Sequence, residues 1–554
     1  MLYGTIAQLR WCVNRPYKKQ THKIAISPRI SHYRQNPYHD RKKNIVMKNR
    51  KIIALFLALL MLSSTAAGCS NADSGETKET GTTTDTTVQE TETERPYAKL
   101  PDTDMGGADM TILVGYNEEK WPPDTVAVTK NEFGAAEITG EVVNDARYTR
   151  NQTIGERYNC VISSVDYNEM QNRNVLHPDM IKAVDTLVMA GDNNYAFMLL
   201  QGYTTCSLAV EGVLTDLYTL DNLDLTAAWW DQKANENLTV MDRLYFTTGD
   251  ISTADNDATC TVFFNKQLAA DHGIDNLYDS VRDGTWTLDM FLGLCEETSL
   301  DVDGDGKYTD ADQYGAMIWD DITMAVINGA GIKCAEVGDS GEIELTLNTE
   351  RTINALEKYV TFGRDKSKCF QYQREGSAAD TLAIQMFSNN QAMFFMQLMQ
   401  MVPKLRDMDA DFGILPFPKY DEEQTEYYNT VGSWHSVFFC MPFSTVDSTH
   451  ASILAEALAC EGMYTVTPAY YEMTLKNKSA RDEDSAEMLD IIFATRVYDL
   501  GWYYQFGMYN EEVMNLFRSQ YAAKEFSSMY ASKEKSALED VKEANEAFAA
   551  VAEQ

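Results

Sequence analysis

Histidine is scarce in this chain. Seven occur in 554 residues, and only His177, His272, His435 and His450 lie beyond Cys69. They form no H-E-x-x-H pattern and no metal-type cluster, which argues against zinc hydrolysis and against a receptor for zinc or manganese. A G-x-S-x-G elbow and a P-loop are missing too, so elbow serine hydrolases and P-loop nucleotide hydrolases lose their signatures. No cysteines are paired as C-x-x-C. Cys160, Cys206, Cys260, Cys295, Cys334, Cys369, Cys440 and Cys460 are widely scattered. A disulfide framework is a device of small domains, so mostly buried free thiols are expected, with one or two disulfides as the alternative. Basic side chains run short after the first segment. Residues 1–68 hold 13 basic and 1 acidic side chain, leaving 34 basic against 82 acidic beyond them, a net of −48. Such charge repels nucleic acid and anionic lipid headgroups. Beyond that it serves solubility.

Long hydrophobic runs are also few. The one present, 52–62, follows a basic start (Lys48, Arg50, Lys51) and is too short to span a bilayer. Small residues come next, Ala66-Ala67-Gly68, and then Cys69. This reads as a secretory signal over 47–68 ending in a lipidated cysteine, the pattern of bacterial lipoproteins. Ala66 departs from it, since leucine is more usual there. The alternative is an ordinary signal peptide that happens to contain a cysteine. Residues 1–46 are basic and aperiodic, and a signal works from the extreme N-terminus, so translation is expected to begin at Met47. Residues 69–104 are Thr/Glu-rich with almost no apolar side chains. They cannot offset their ordering entropy and should form a flexible stalk.

From Met105 onward 450 residues remain, too many for one core, which suggests two lobes. Residues 109–117 alternate as a strand, 145–158 read as a helix, 160–165 as a strand, then a helix and a buried strand at 196–200. Strand and helix in alternation is the α/β signature of a mostly parallel sheet. Ligands of such sheets sit beyond the carboxyl ends of the strands. Further on, ATCTVFFNKQLAADHG reads as strand then helix, TWTLDMFLGLCEETSL as a helix capped by Thr287, and QYGAMIWDD as a strand. Three helical segments close the chain, and no internal repeat is evident.

Taken in order, YAFMLLQGY, LYFTTGDIS, VFFNKQLAADHGI, WTLDMFLGLCEE, FSNNQAMFFMQ, FGILPFPK and TVGSWHSVFF resemble the family 1 extracellular solute-binding proteins, the receptors of ABC importers. The resemblance covers nearly everything after Met105. It implies a type II periplasmic-binding-protein-like fold: two discontinuous α/β lobes, a hinge and an interlobe ligand cleft. Lobe one would be 105–249 plus 428–470, and lobe two 250–427 plus 471–554. It further implies a monomer on the outer face of a bacterial, Gram-positive cytoplasmic membrane, held by its lipid anchor. Its partners would be a carbohydrate, in particular an oligosaccharide, and the permease subunits of an ABC importer.

A sugar site needs aromatic platforms beside polar side chains. The candidates at strand ends are Tyr116, Asn117, Tyr203, Asp255, Asn256, Trp319, Asp320, Gln397 and Trp434, joined by Trp502 and Tyr503 from the late helical region. Trp229, Trp230 and Trp286 are assigned to core packing. Separately, Asp301, Asp303 and Asp305 take positions 1, 3 and 5 of an EF-hand-like loop, with Gly306 at 6, the Lys307 carbonyl at 7 and Asp312 at 12. Hard oxygen ligands in this alternation wrap a Ca²⁺ ion, here in a structural role away from the cleft. A solvated acidic turn is the alternative. Two rival functions remain at this level: a secreted carbohydrate-active enzyme, since carboxylates abound, and a non-transporting sensor or adhesion lipoprotein on the same fold.

Overall fold

The computed structural model describes residues 97–115, 132–166, 177–191, 194–373, 379–405, 408–475, 483–517 and 526–552. The signal segment, Cys69, the stalk up to Arg95, Tyr116 and Asn117 lie outside the described residues.

The first sheet contains β1 (Ala108–Gly115), β2 (Cys160–Asp166), β3 (Met198–Gln201), β4 (Phe246–Thr247) and, from much later in the chain, β13 (Val437–Cys440). Their order is β2-β1-β3-β13-β4. β1 is parallel to β2 and β3, while β13 runs antiparallel to β3 and β4. The central β3 is buried at every position, which explains its unbroken apolar run MLL. The helix before β2, Val142–Tyr158, is capped by the Glu141 carboxylate and stopped by Asn159 in the left-handed region (φ 49).

The second sheet contains β5 (Cys260–Asn265), β6 (Tyr314–Ile318), β9 (Cys369–Gln371), β10 (Ala392–Leu398) and β11 (Phe412–Leu415), in the order β11-β5-β10-β6-β9. Here β10 is parallel to β6, and β5 is antiparallel to β10 and β11. Alternation decides which core each side chain joins. Val262, Phe264, Phe394 and Met396 pack on one side with Trp286 and Phe291; Phe263 and Phe395 pack on the other with Met386 and Phe387. Thr287 caps its helix as expected, with its hydroxyl 3.3 Å from the Met290 N–H. A small hairpin, β7 (Ala335–Val337) with β8 (Ile343–Leu345), is inserted.

The two sheets share one topology. Setting β1, β2, β3 and β4 against β6, β9, β10 and β11 gives the same spatial order, and each sheet takes its antiparallel strand from the chain just after a crossing: β5 in one, β13 in the other. The fold therefore carries a repeat that the sequence does not display. Among the described residues, and besides the two long helices described below, three segments pass between the lobes, at 248–259, 416–436 and 495–499. The second and third pair as a parallel ribbon, β12 (Asn429–Thr430) with β14 (Arg496–Val497).

Two late helices serve both lobes. Helix Ser448–Leu475, with Pro468 inside it, puts Leu454 and Leu458 into the first core and Tyr471 against the second. Helix Phe526–Ala552 packs Phe526 and Tyr530 with Trp502, but Val541, Ala544 and Phe548 join the first core. The tail is thus shared, where the sequence boundary places all of 471–554 in lobe two. Among the described residues no helix is long and apolar enough to cross a membrane. The eight described cysteines are unpaired, seven of them buried.

Trp229, Trp230 and Trp286 are core residues with satisfied indoles. Trp286 donates to the Pro416 carbonyl (2.9 Å), and Trp229 and Trp230 both donate to Glu456 (3.0 and 2.8 Å). Burial pushes the Glu456 carboxyl up to about 7, as it does for Asp250 and Asp257. Such groups fold with a proton more readily than they unfold with one. The stability they contribute is full below their unfolded pKa of about 4 and is lost as pH rises through about 7. The urea midpoint should therefore fall between about pH 5 and pH 8, and Glu456→Gln should flatten that slope. A midpoint that rises over this range would contradict the assignment.

Candidate functional site

The ends of β3 in the first sheet and β10 in the second come together. β3 ends at Gln201 and β10 at Leu398, and the crossing segments join these ends through Met399 N–H to Thr259 O and Gly432 N–H to Ala258 O, each 2.9 Å. Trp319, which follows β6, meets His435, which precedes β13, edge to face with ring centroids 5.7 Å apart. The cleft between the lobes is bounded by these termini.

On the first lobe, Gln201 organises the wall. Its Oε1 accepts from the N–H groups of Tyr203 (3.0 Å) and Thr204 (3.3 Å), capping helix Gly202–Val210, and its Nε2 donates to the carbonyls of Ser433 and Trp434, 3.1 Å each. Gly202 allows this approach, since a Cβ there would lie 2.7 Å from the Ser433 carbonyl oxygen. The Tyr203 hydroxyl accepts from Ser433 Oγ (2.9 Å), and its ring meets Trp434 at 5.8 Å. Trp434 itself is half-buried, with part of its indole exposed.

On the second lobe Trp319 is also half-buried, and its Nε1 is enclosed without a hydrogen-bond partner. A buried indole N–H normally finds an acceptor, so this donor is available to one. Burial pulls the His435 imidazole down to about 4, so it is neutral at pH 7. Asp320, next to Trp319 in the chain, is buried, and with the Gln373 amide turned to suit its neighbours the Gln373 Oε1 accepts from the Asp320 N–H at 3.0 Å. Gln397 is engaged within its lobe, donating to the Tyr372 hydroxyl (2.7 Å) and accepting from Leu398 N–H (2.8 Å).

The remaining nominated residues serve other parts of the molecule. Asp255 and Asn256 are buried and bound to Arg496. Trp502 lies in a small core with Tyr509 and Tyr530. Tyr503 donates to the Val431 carbonyl (2.9 Å) and packs on Phe438. Both aromatics are at most 2% exposed, because their short helix is wedged between elements of both lobes. Three residues not singled out in the sequence contact the nominated ones: His435 meets Trp319, Gln373 faces Asp320, and the Gln505 side chain bonds Tyr203 from a left-handed backbone (φ 57). Nothing local marks them. Gln505 in particular is a non-glycine residue in a conformation that tertiary contacts must hold.

Away from the cleft, Asp301, Asp303 and Asp305 place one carboxylate oxygen each within 4.8 Å of one another. Gly304 and Gly306 turn with φ 72 and 78 and donate to Asp301, at 2.8 and 2.7 Å. Asp312 stands outside this trio. It accepts from the N–H groups of Val302 (2.9 Å) and Thr309 (2.8 Å), and these bonds, that to Thr309 foremost, hold its carboxyl below the usual range. Lys307 lies with its Nζ 3.4 Å from Asp305.

No protein-family model matches the chain, and no curated protein sequence matches it. Solved structures do. A cyclo/maltodextrin-binding protein complexed with maltotetraose superposes with TM-score 0.50 at 10% identity, over 78% of this chain and 96% of its own. UspC from M. tuberculosis gives 0.49 at 14% identity, over 79% and 100%. The ABC substrate-binding protein Lmo0181 from Listeria monocytogenes, in complex with cycloalternan, gives 0.48 at 11%, over 80% and 99%. With the paired β2-β1-β3-β13-β4 topology, the first of these likenesses defines the class: the molecule has the type II periplasmic-binding-protein fold.

Proposed function

We propose that this protein is an extracellular solute receptor that captures a carbohydrate, in particular an oligosaccharide, between its lobes and delivers it to an ABC importer. Cys69 would carry the lipid that tethers it to the outer face of the membrane. The observation that carries the ligand reading is the pair of half-buried indoles, Trp434 and Trp319, at facing strand ends, one with an unsatisfied N–H. Indole faces suit the C–H faces of sugars, and the N–H suits a hydroxyl. Closure of the lobes on such a ligand would present the permease with a surface that the open form lacks. The protein acts by binding and release, with no bond broken. Isothermal titration against mono- and oligosaccharides tests this: tight binding with the sugar recovered intact is expected, and product formation would overturn it in favour of an enzyme.

The Asp301–Asp303–Asp305 trio supports a second, structural role, a Ca²⁺ held in its loop with the Lys307 carbonyl as a further ligand. Asp312, turned to the neck of the loop, would brace it. Millimolar Ca²⁺ should raise the thermal midpoint of the natural protein and leave that of Asp303→Asn unchanged; equal shifts in both would dismiss the site.

A further inference from the structure

We propose that Arg496 is the positioning residue of the hinge, a node that binds all three crossing segments and sets the lobe angle of the ligand-free protein. Arg496 lies on β14, in the third crossing, and pairs along the backbone with Asn429 of the second. Its Nη1 donates to Asp255 of the first crossing (2.6 Å) and to Asp231 (2.9 Å), which caps helix Gln232–Leu238. Its Nη2 donates to Asn256, also of the first crossing. Tyr498 adds its hydroxyl to the same Asp231 oxygen at 2.9 Å. Three acceptors from two distant stretches of sequence, Asp231, Asp255 and Asn256, thus converge on one planar cation.

The node is dry: side-chain exposure is 7% for Arg496, 8% for Asp231 and 2% for Asp255. A desolvated ion pair gains little net stability over a well-packed apolar contact of the same shape. What a guanidinium adds is direction, because its donors lie in one rigid plane and fix where each acceptor must sit. The satisfaction is also incomplete. Asp255 Oδ1 and Arg496 Nε are buried without partners. Two unmet polar atoms at the meeting point of three crossings mark a node that a change of lobe angle re-partners, and discrete re-partnering is how packed hinges switch.

The proposal rests on the two-lobed receptor reading, but its test needs no ligand. Arg496→Lys keeps the charge and removes the fork. Hydrogen exchange of the ligand-free full chain should rise roughly tenfold or more together in 254–259, 429–432 and 495–498, with β3 and β10 unchanged. Unchanged exchange, or a rise confined to 495–498, overturns the node, since charge balance alone is preserved by lysine. If the lysine variant does not fold, Asp231→Asn removes one arm and must raise exchange in all three segments likewise; a rise limited to 231–238 overturns it. Failure of sugar binding would leave this exchange result untouched, so the two readings fail separately.

Discussion

Glu132→Gln is expected to destabilise the protein by about 3–5 kcal/mol, the cost of stranding buried charge. Glu132 is fully buried and neutralises two arginines of helix Val142–Tyr158: Arg147 at 3.0 Å and Arg150 at 3.3 Å. Arg150 has no exposed side-chain surface and also donates to the carbonyls of Glu132 (2.7 Å) and Ile251 (3.0 Å). Burial pulls its guanidinium down to about 10 even with Glu132 beside it. Removing the carboxylate charge leaves two desolvated cations and weakens the tie to the first crossing, where Glu132 also accepts from Thr253 N–H. Urea unfolding followed by tryptophan fluorescence reads the loss. A shift below about 1 kcal/mol would mean that the pair is solvated or replaceable. The double variant Glu132→Gln, Arg150→Met should recover part of the loss, since it removes one stranded cation.

The second large effect concerns binding. Trp434→Ala should weaken carbohydrate affinity roughly ten- to hundredfold, the scale of losing an aromatic anchor. Because Trp434 is half-buried and contacts Tyr203 by one edge, the thermal midpoint should fall far less than for Trp286→Ala, which opens a cavity in the second core. Titration of a sugar found in the panel, with Trp286→Ala as the comparison, separates platform from packing. Equal affinity losses in both variants would show that Trp434 acts only through stability.

The secondary structure was largely legible because its causes are local. Alternation in 108–115, Thr287 ahead of an apolar period, and the unbroken apolar run before Gln201 each specify an element within a few residues. Of the proposed site, the sequence marked only the places where a strand end and an aromatic coincide, Trp319, Tyr203 and Trp434. Trp502 and Tyr503 look the same in sequence, yet they are core. An aromatic's pattern does not say whether its open side meets another element or solvent. Arg496 gave no signal at all, because its acceptors lie more than 200 residues away.

By itself the sequence determined the acidic composition, the alternation of strands and helices, and through them an α/β chain too long for one core. Only the tertiary structure decided that β5 and β13 each insert antiparallel into a sheet next to a chain crossing, that the C-terminal helix serves both lobes, and that Asp255 and Asn256 are bound to Arg496. The reason is physical. Periodicity and capping act over a turn or a strand, whereas pairing order, shared burial and charge neutralisation are settled between segments that meet only once the chain has folded.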